Sequence, residues 1–185
     1  MINFKEYINE STVITYHGDD YGTKKLEAKL MNNGNNQEGI GIYFGSLETA
    51  ETYGKNIIKA EINPKNYIDS RKDIGKYLKI NQIMSILTDL WKSDEESMYY
   101  MITDWGVEIS EPEDIEPEHI NYLAGKMQND EVRNFQTTLA MQFDVVDFVD
   151  SWNKHCKNIH GTFQEQGNGE FWYCIINTKQ KVSKI

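Results

Sequence analysis

With 185 residues, a net charge of −10 and 39% hydrophobic residues, the chain has the length and composition of one folded domain and not of a disordered tail. The acidic balance argues against nucleic acid as a partner, because a phosphate backbone needs a basic surface; small molecules and basic protein surfaces remain. No apolar run approaches the roughly 18 residues needed to span a bilayer, and acids and Asn interrupt the first residues where a signal peptide would be apolar.

In chain order, residues 2–10 place Phe4, Tyr7 and Ile8 at helical spacing and predict a short amphipathic helix. Residues 13–16 predict a strand, residues 17–22 the loop after it, and residues 24–31 a helix with Leu26 and Leu30 inward. Residues 32–37 are turn chemistry without a hydrophobe. A short aromatic strand follows, Ile40-Gly41-Ile42-Tyr43-Phe44, and then a helix over 46–53 with Ser46 as N-cap and Gly54 as its stop. Residues 56–63 alternate as a half-buried strand, and 67–69 suggest another. From 76 to 156 the pattern is helical apart from 108–118, whose six acids and two prolines suggest an exposed linker. Residues 161–169 are expected as a polar loop, 171–176 as a strand, and 180–182 as a further pairing segment. Neither strand-rich end has enough strands to fold alone. The expectation is therefore a single α+β domain over 1–185, with a helical insertion over about 76–156.

Taken by itself, the stretch from Gly39 to Gly54 is an ordinary strand-turn-helix whose tyrosines pack a core, or a place where glycines let another molecule approach two phenol rings. Upstream, His17-Gly18 directly follows the strand that ends at Tyr16. In the order His17-Gly18, then Gly41-Ile42-Tyr43-Phe44, then Thr49-Ala50-Glu51-Thr52-Tyr53-Gly54, the chain resembles the ADP-ribosyltransferase superfamily. The similarity is to its diphtheria-toxin-like and poly(ADP-ribose) polymerase-like branch, whose site is named for His, Tyr and Glu. The closing pattern, an aromatic strand followed by Asn177-x-x-Gln180-x-Val182, resembles the end of phage and bacterial members.

That resemblance implies a split β-sheet core with NAD as co-substrate and transfer of ADP-ribose to an acceptor expected to be a protein; the two distant cysteines favour a cytoplasmic setting, a host's if the chain is phage-encoded. It assigns His17 to an NAD ribose hydroxyl, Gly18 to backbone contact with the nicotinamide amide, and Tyr43 and Tyr53 to a sandwich around nicotinamide. The family glutamate, counted back from Gln180, falls at Trp172. Glu170 lies two residues earlier and, by strand parity, on the same face, so it is the expected catalytic carboxylate, with Glu165 as a fallback. His17, Tyr43 and Glu170 are thus the expected catalytic set. Asp19 and Asp20 depart from the small or hydroxyl residues usual after His-Gly, and would repel a diphosphate.

From the residues alone, His17 also suits a loop turn and Tyr53 plain helix packing. The alternative function is an inactive descendant that binds NAD or ADP-ribose, or serves as a virion or interaction component. RNA 2′-phosphotransferase chemistry is disfavoured by the acidic charge and by a chain whose arginines are Arg71 and Arg133. Cys156 and Cys174 lie far apart, as suits reduced thiols, and no His or Cys spacing suggests a metal.

Overall fold

Alternation of side chains builds the first sheet. In β3 (Asn56–Ile62), Ile58, Ala60 and Ile62 are buried while Lys59 and Glu61 face out, the period-two pattern of a half-buried strand. β3 lies between β1 (Val13–Asp19) and β7 (Val182–Lys184), antiparallel to both. A second sheet has the order β2-β6-β5-β4, formed by β2 (Ile42–Phe44), β6 (Phe171–Ile175), β5 (Gly161–Glu165) and β4 (Tyr67–Asp69). The computed structural model describes residues 12–31 and 39–185; the helix expected over 2–10 and the loop over 32–37 lie outside the described residues. Among those described, the two sheets and six α-helices make an α+β architecture.

β4 and β5 are parallel neighbours, unlike every other pair in the two sheets. Parallel neighbours cannot be joined by a hairpin and need a crossover. Here the helical region is that crossover: α2 (Ile80–Ser93), α3 (Glu95–Asp104), α4 (Pro117–Met127), α5 (Val132–Gln142) and α6 (Val145–His155) all lie between β4 and β5. Its start is tied to the turn between α4 and α5 by backbone bonds, Ile74 N–H to Asp130 O at 2.7 Å and Val132 N–H to Lys72 O at 2.9 Å. Helix α2 buries Ile83, Ile86, Leu87 and Leu90, a helical stripe, and α6 buries Phe148, Val149 and Trp152. Helix α6 packs on α2 and on the turn Ala28–Leu30, and Asn153 Nδ2 donates to Ile176 O at 3.3 Å. One continuous core therefore runs from Leu26 and Ile40 through the helices to Ile176.

Local expectations are corrected in four places. β1 continues to Asp19, so His17 and Gly18 sit in a paired strand and not in a loop. The helix expected over 24–31 shrinks to the 3-10 turn Ala28–Leu30, because Asp19 gathers the N–H groups of Tyr21, Gly22 and Thr23 and turns the chain before it. The segment 108–118 is not a free linker: it holds a 3-10 turn (Pro112–Asp114), buries Ile115 and leads into α4 at Pro117. The expected helical stretch toward 156 is found as two helices, separated where the Asp144 carboxylate accepts from Val146 N–H at 2.7 Å and caps α6. Finally, the loop expected over 161–169 is β5 in its first half, with Gly161, Thr162 and Phe163 buried. A side chain at Gly161 would come within 2.0 Å of Cys174 O, so the glycine serves close strand approach, not a turn. No helix among the described residues is long and apolar enough to cross a membrane.

Candidate functional site

The site starts from one backbone bridge between the two sheets. Tyr16 and Gly45 exchange hydrogen bonds, N–H to O at 2.9 and 2.8 Å, which draws the end of β1 alongside β2. The next residue of β1, His17, then donates from Nδ1 to Tyr43 O at 2.8 Å. A carbonyl only accepts, so the ring carries its proton on Nδ1. Nε2 is left facing Asp19 Oδ2 at 3.6 Å, and Phe44 backs the ring with centroids 5.5 Å apart. Asp19 is itself pinned: Oδ1 accepts from Gly22 N–H at 2.6 Å and Tyr21 N–H at 2.9 Å, Oδ2 from Thr23 N–H at 3.1 Å. Burial would raise its pKa, but the Thr23 and Gly22 donors and the His17 ring outweigh burial and hold it below the usual carboxylate range.

His17, Asp19 and Tyr43 line one cleft of about 720 Å³, with Tyr21, Lys24 and Leu30 on its outer wall. That volume is in the range of small-molecule and cofactor sites, roughly 300–1,000 Å³. Tyr43 is half-buried and its hydroxyl donates to Gly39 O at 2.9 Å, which fixes the ring across the strand end. Gly39 and Ile40 are held in turn from the helical crossover, where buried Gln136 accepts from Ile40 N–H at 3.1 Å.

Glu170 belongs to a neighbouring cluster around α1 (Leu47–Tyr53). Its Oε1 accepts from Ser46 N–H and from the Thr49 hydroxyl, both at 2.8 Å. Burial would raise its pKa; the Ser46 and Thr49 donors outweigh that and hold it below the usual range, helped by the indole of Trp172, whose N–H makes no hydrogen bond of good geometry. A side chain at Gly45 would meet both Glu170 Oε1 (3.0 Å) and Trp172 Cδ1 (3.4 Å), so Glu170 and Trp172 share a face of the sheet. By strand alternation Gly45 points to the same side of β2 as Tyr43. Trp172 stands edge-on to Tyr53 with centroids 6.5 Å apart.

The expected residues therefore fall into two groups. His17 and Tyr43 meet in the cleft; Glu170, Trp172 and Tyr53 gather at α1, and neither Glu170 nor Tyr53 lines the cleft. Tyr53 ends α1 with 62% of its surface exposed. Gly18 is buried under α1, where a Cβ would lie 1.9 Å from Ala50 O. Glu165 is exposed at the end of β5. Sequence reasoning missed the hold of Thr49 on Glu170 and of Asp19 on His17. The sequence signal for the first is the Ser46-x-x-Thr49 spacing at the start of α1.

These features define a class no finer than a two-sheet α+β protein with a His-Tyr cleft. No family model matches the chain, and no curated protein matches it. The crystal structure of an anti-CRISPR protein is similar with a TM-score of 0.36 and 15% identity, over 95% of this chain and 97% of that one. Likeness at that level carries no argument about function.

Proposed function

We propose that this chain is an NAD-dependent ADP-ribosyltransferase that passes ADP-ribose to a protein acceptor and releases nicotinamide. The observation that carries this reading is the His17–Tyr43 bond at the wall of a cofactor-sized cleft, with a carboxylate, Glu170, on the Tyr43 side of the same sheet. In the reaction the bond from ribose C1′ to the nicotinamide nitrogen breaks, and nicotinamide leaves with the electron pair. The acceptor nucleophile bonds to C1′ and gives up its proton to solvent. Tyr43 offers a flat face to nicotinamide, with Tyr53 and the Gly18 backbone as the further contacts the resemblance implies. His17 orients a ribose hydroxyl, and an ionised Glu170 favours the positive charge that develops at C1′. Both cysteines are buried, which suits a reducing cytoplasm as the place of action.

A second reading has its own observation. Because the Glu170 carboxylate is engaged at α1 and does not line the cleft, an inactive protein of this fold that binds NAD or ADP-ribose is the alternative. Incubation with labelled NAD, with and without candidate acceptor proteins, separates the two. Label transfer with release of nicotinamide supports the transferase. Saturable NAD binding without either product supports the binder, and no binding at all rejects both.

A further inference from the structure

We propose that Thr49 is a positioning residue for Glu170: its hydroxyl holds Oε1 and keeps the carboxylate ionised and fixed on the Tyr43 side of the sheet. This inference rests on the transferase reading for its catalytic sense. The hydrogen count gives the hold a direction. Ser46 Oγ accepts from Thr49 N–H at 3.1 Å and donates its own proton to Thr49 Oγ1 at 3.0 Å; Thr49 Oγ1 then has one proton to give, and it goes to Glu170 Oε1 at 2.8 Å. The relay ends on an oxygen that only accepts, so it is satisfied throughout when Glu170 is ionised. Both 2.8 Å donors fall on Oε1, which fixes that end of the carboxylate.

Helix capping does not account for this hydroxyl. The N-cap function is complete in the Ser46 Oγ to Thr49 N–H bond. A threonine in a helix usually returns its hydroxyl to a carbonyl in the preceding turn, as Thr52 does to Thr49 O at 2.7 Å. Thr49 instead spans 121 residues of sequence to reach Glu170. The groups facing the carboxyl are Ser46 and Thr49 from α1, Trp172 from β6 and Gly45 beyond β2, all uncharged. Its ionisation is therefore governed by these donors and not by a counter-ion.

The test compares Thr49→Val, which keeps shape and removes the hydroxyl, with Thr49→Ser, which restores it. Steady-state kinetics gives kcat, KM for NAD and the acid limb of the pH profile, and carbon NMR of labelled glutamate follows the Glu170 carboxyl directly. For Thr49→Val we expect kcat to fall about tenfold or more, the effect of losing one hydrogen bond to a charged group, with KM for NAD little changed. The Glu170 titration and the acid limb should both move to higher pH, and Thr49→Ser should recover both. An unmoved Glu170 titration in Thr49→Val, or equal damage in the serine variant, overturns the inference. A wild-type chain without NAD turnover rejects the transferase reading instead, and the NMR titration still decides whether Thr49 holds the carboxylate.

Discussion

At the scale of single residues, the wall of the cleft rests on one ring and the proposed chemistry on one carboxylate. Removing the ring in Tyr43→Ala takes away the flat face proposed for nicotinamide and the hydroxyl that ties down Gly39. We expect weaker NAD binding by calorimetry and slower turnover; wild-type values for both would reject the pocket. Glu170→Gln keeps the size of the side chain and can still accept from Ser46 N–H and Thr49. It removes the charge proposed to favour the transition state, so folding and NAD binding should persist while transfer falls at least about 100-fold. Equal transfer rates would remove Glu170 from the mechanism.

At the scale of elements, two contacts set where the strands of the site lie. Gly18 lets α1 rest on β1, and any side chain there would strike the Ala50 carbonyl. That atom is helix backbone and cannot swing aside, so Gly18→Ala should cost roughly 3 kcal/mol, the upper end for overpacking, in urea unfolding. Gln136 on α5 supports the segment leading into β2 from the other side. Gln136→Leu keeps the volume but leaves the Ile40 N–H buried without its acceptor, a cost of about 1–3 kcal/mol. Faster hydrogen exchange at Ile40, with weaker NAD binding, would show that the crossover steadies the strand that carries Tyr43. Unchanged exchange would mean that the contact is incidental.

For the whole molecule, the crossover between β4 and β5 shares the sheet core. Unfolding in urea should give coincident transitions by tryptophan fluorescence and far-UV circular dichroism. Two separated transitions would divide the crossover from the sheets. The pH dependence follows from the pinned carboxylates. Burial raises the pKa of Asp19, Asp89 and Glu170, but their donors and, for Asp89, Lys154 and His155 outweigh it; Asp94 is lowered by the Ser97 N–H and hydroxyl. Carboxyls depressed in the folded state contribute stability that is present above their ordinary pKa of about 4 and lost as pH falls through the lowered values. Half-buried Asp130, raised by burial, works in the opposite sense. The midpoint in urea should accordingly hold from neutral pH to about 5 and drop below about 4. A flat midpoint down to pH 3 would contradict these assignments.

What the sequence determined by itself was local. The alternation of residues 56–62, the stripe Ile83-Ile86-Leu87-Leu90 and the Ser46 cap each encode an element through contacts between near neighbours, and each is found where its pattern predicts. Strand parity likewise put Glu170 and Trp172 on one face before any fold was known. Tertiary structure decided what depends on partners far along the chain. Gly161 looks like a loop residue until Cys174 lies against it, and Gly18 like a turn until α1 does. The length of the first strand came from its pairing with residues 56–62. Pairing across the sheets also decided that His17 reaches Tyr43 while Glu170 is taken by Thr49. These bonds join residues 26 and 121 positions apart, and side-chain periodicity within an element carries no information about distances of that kind.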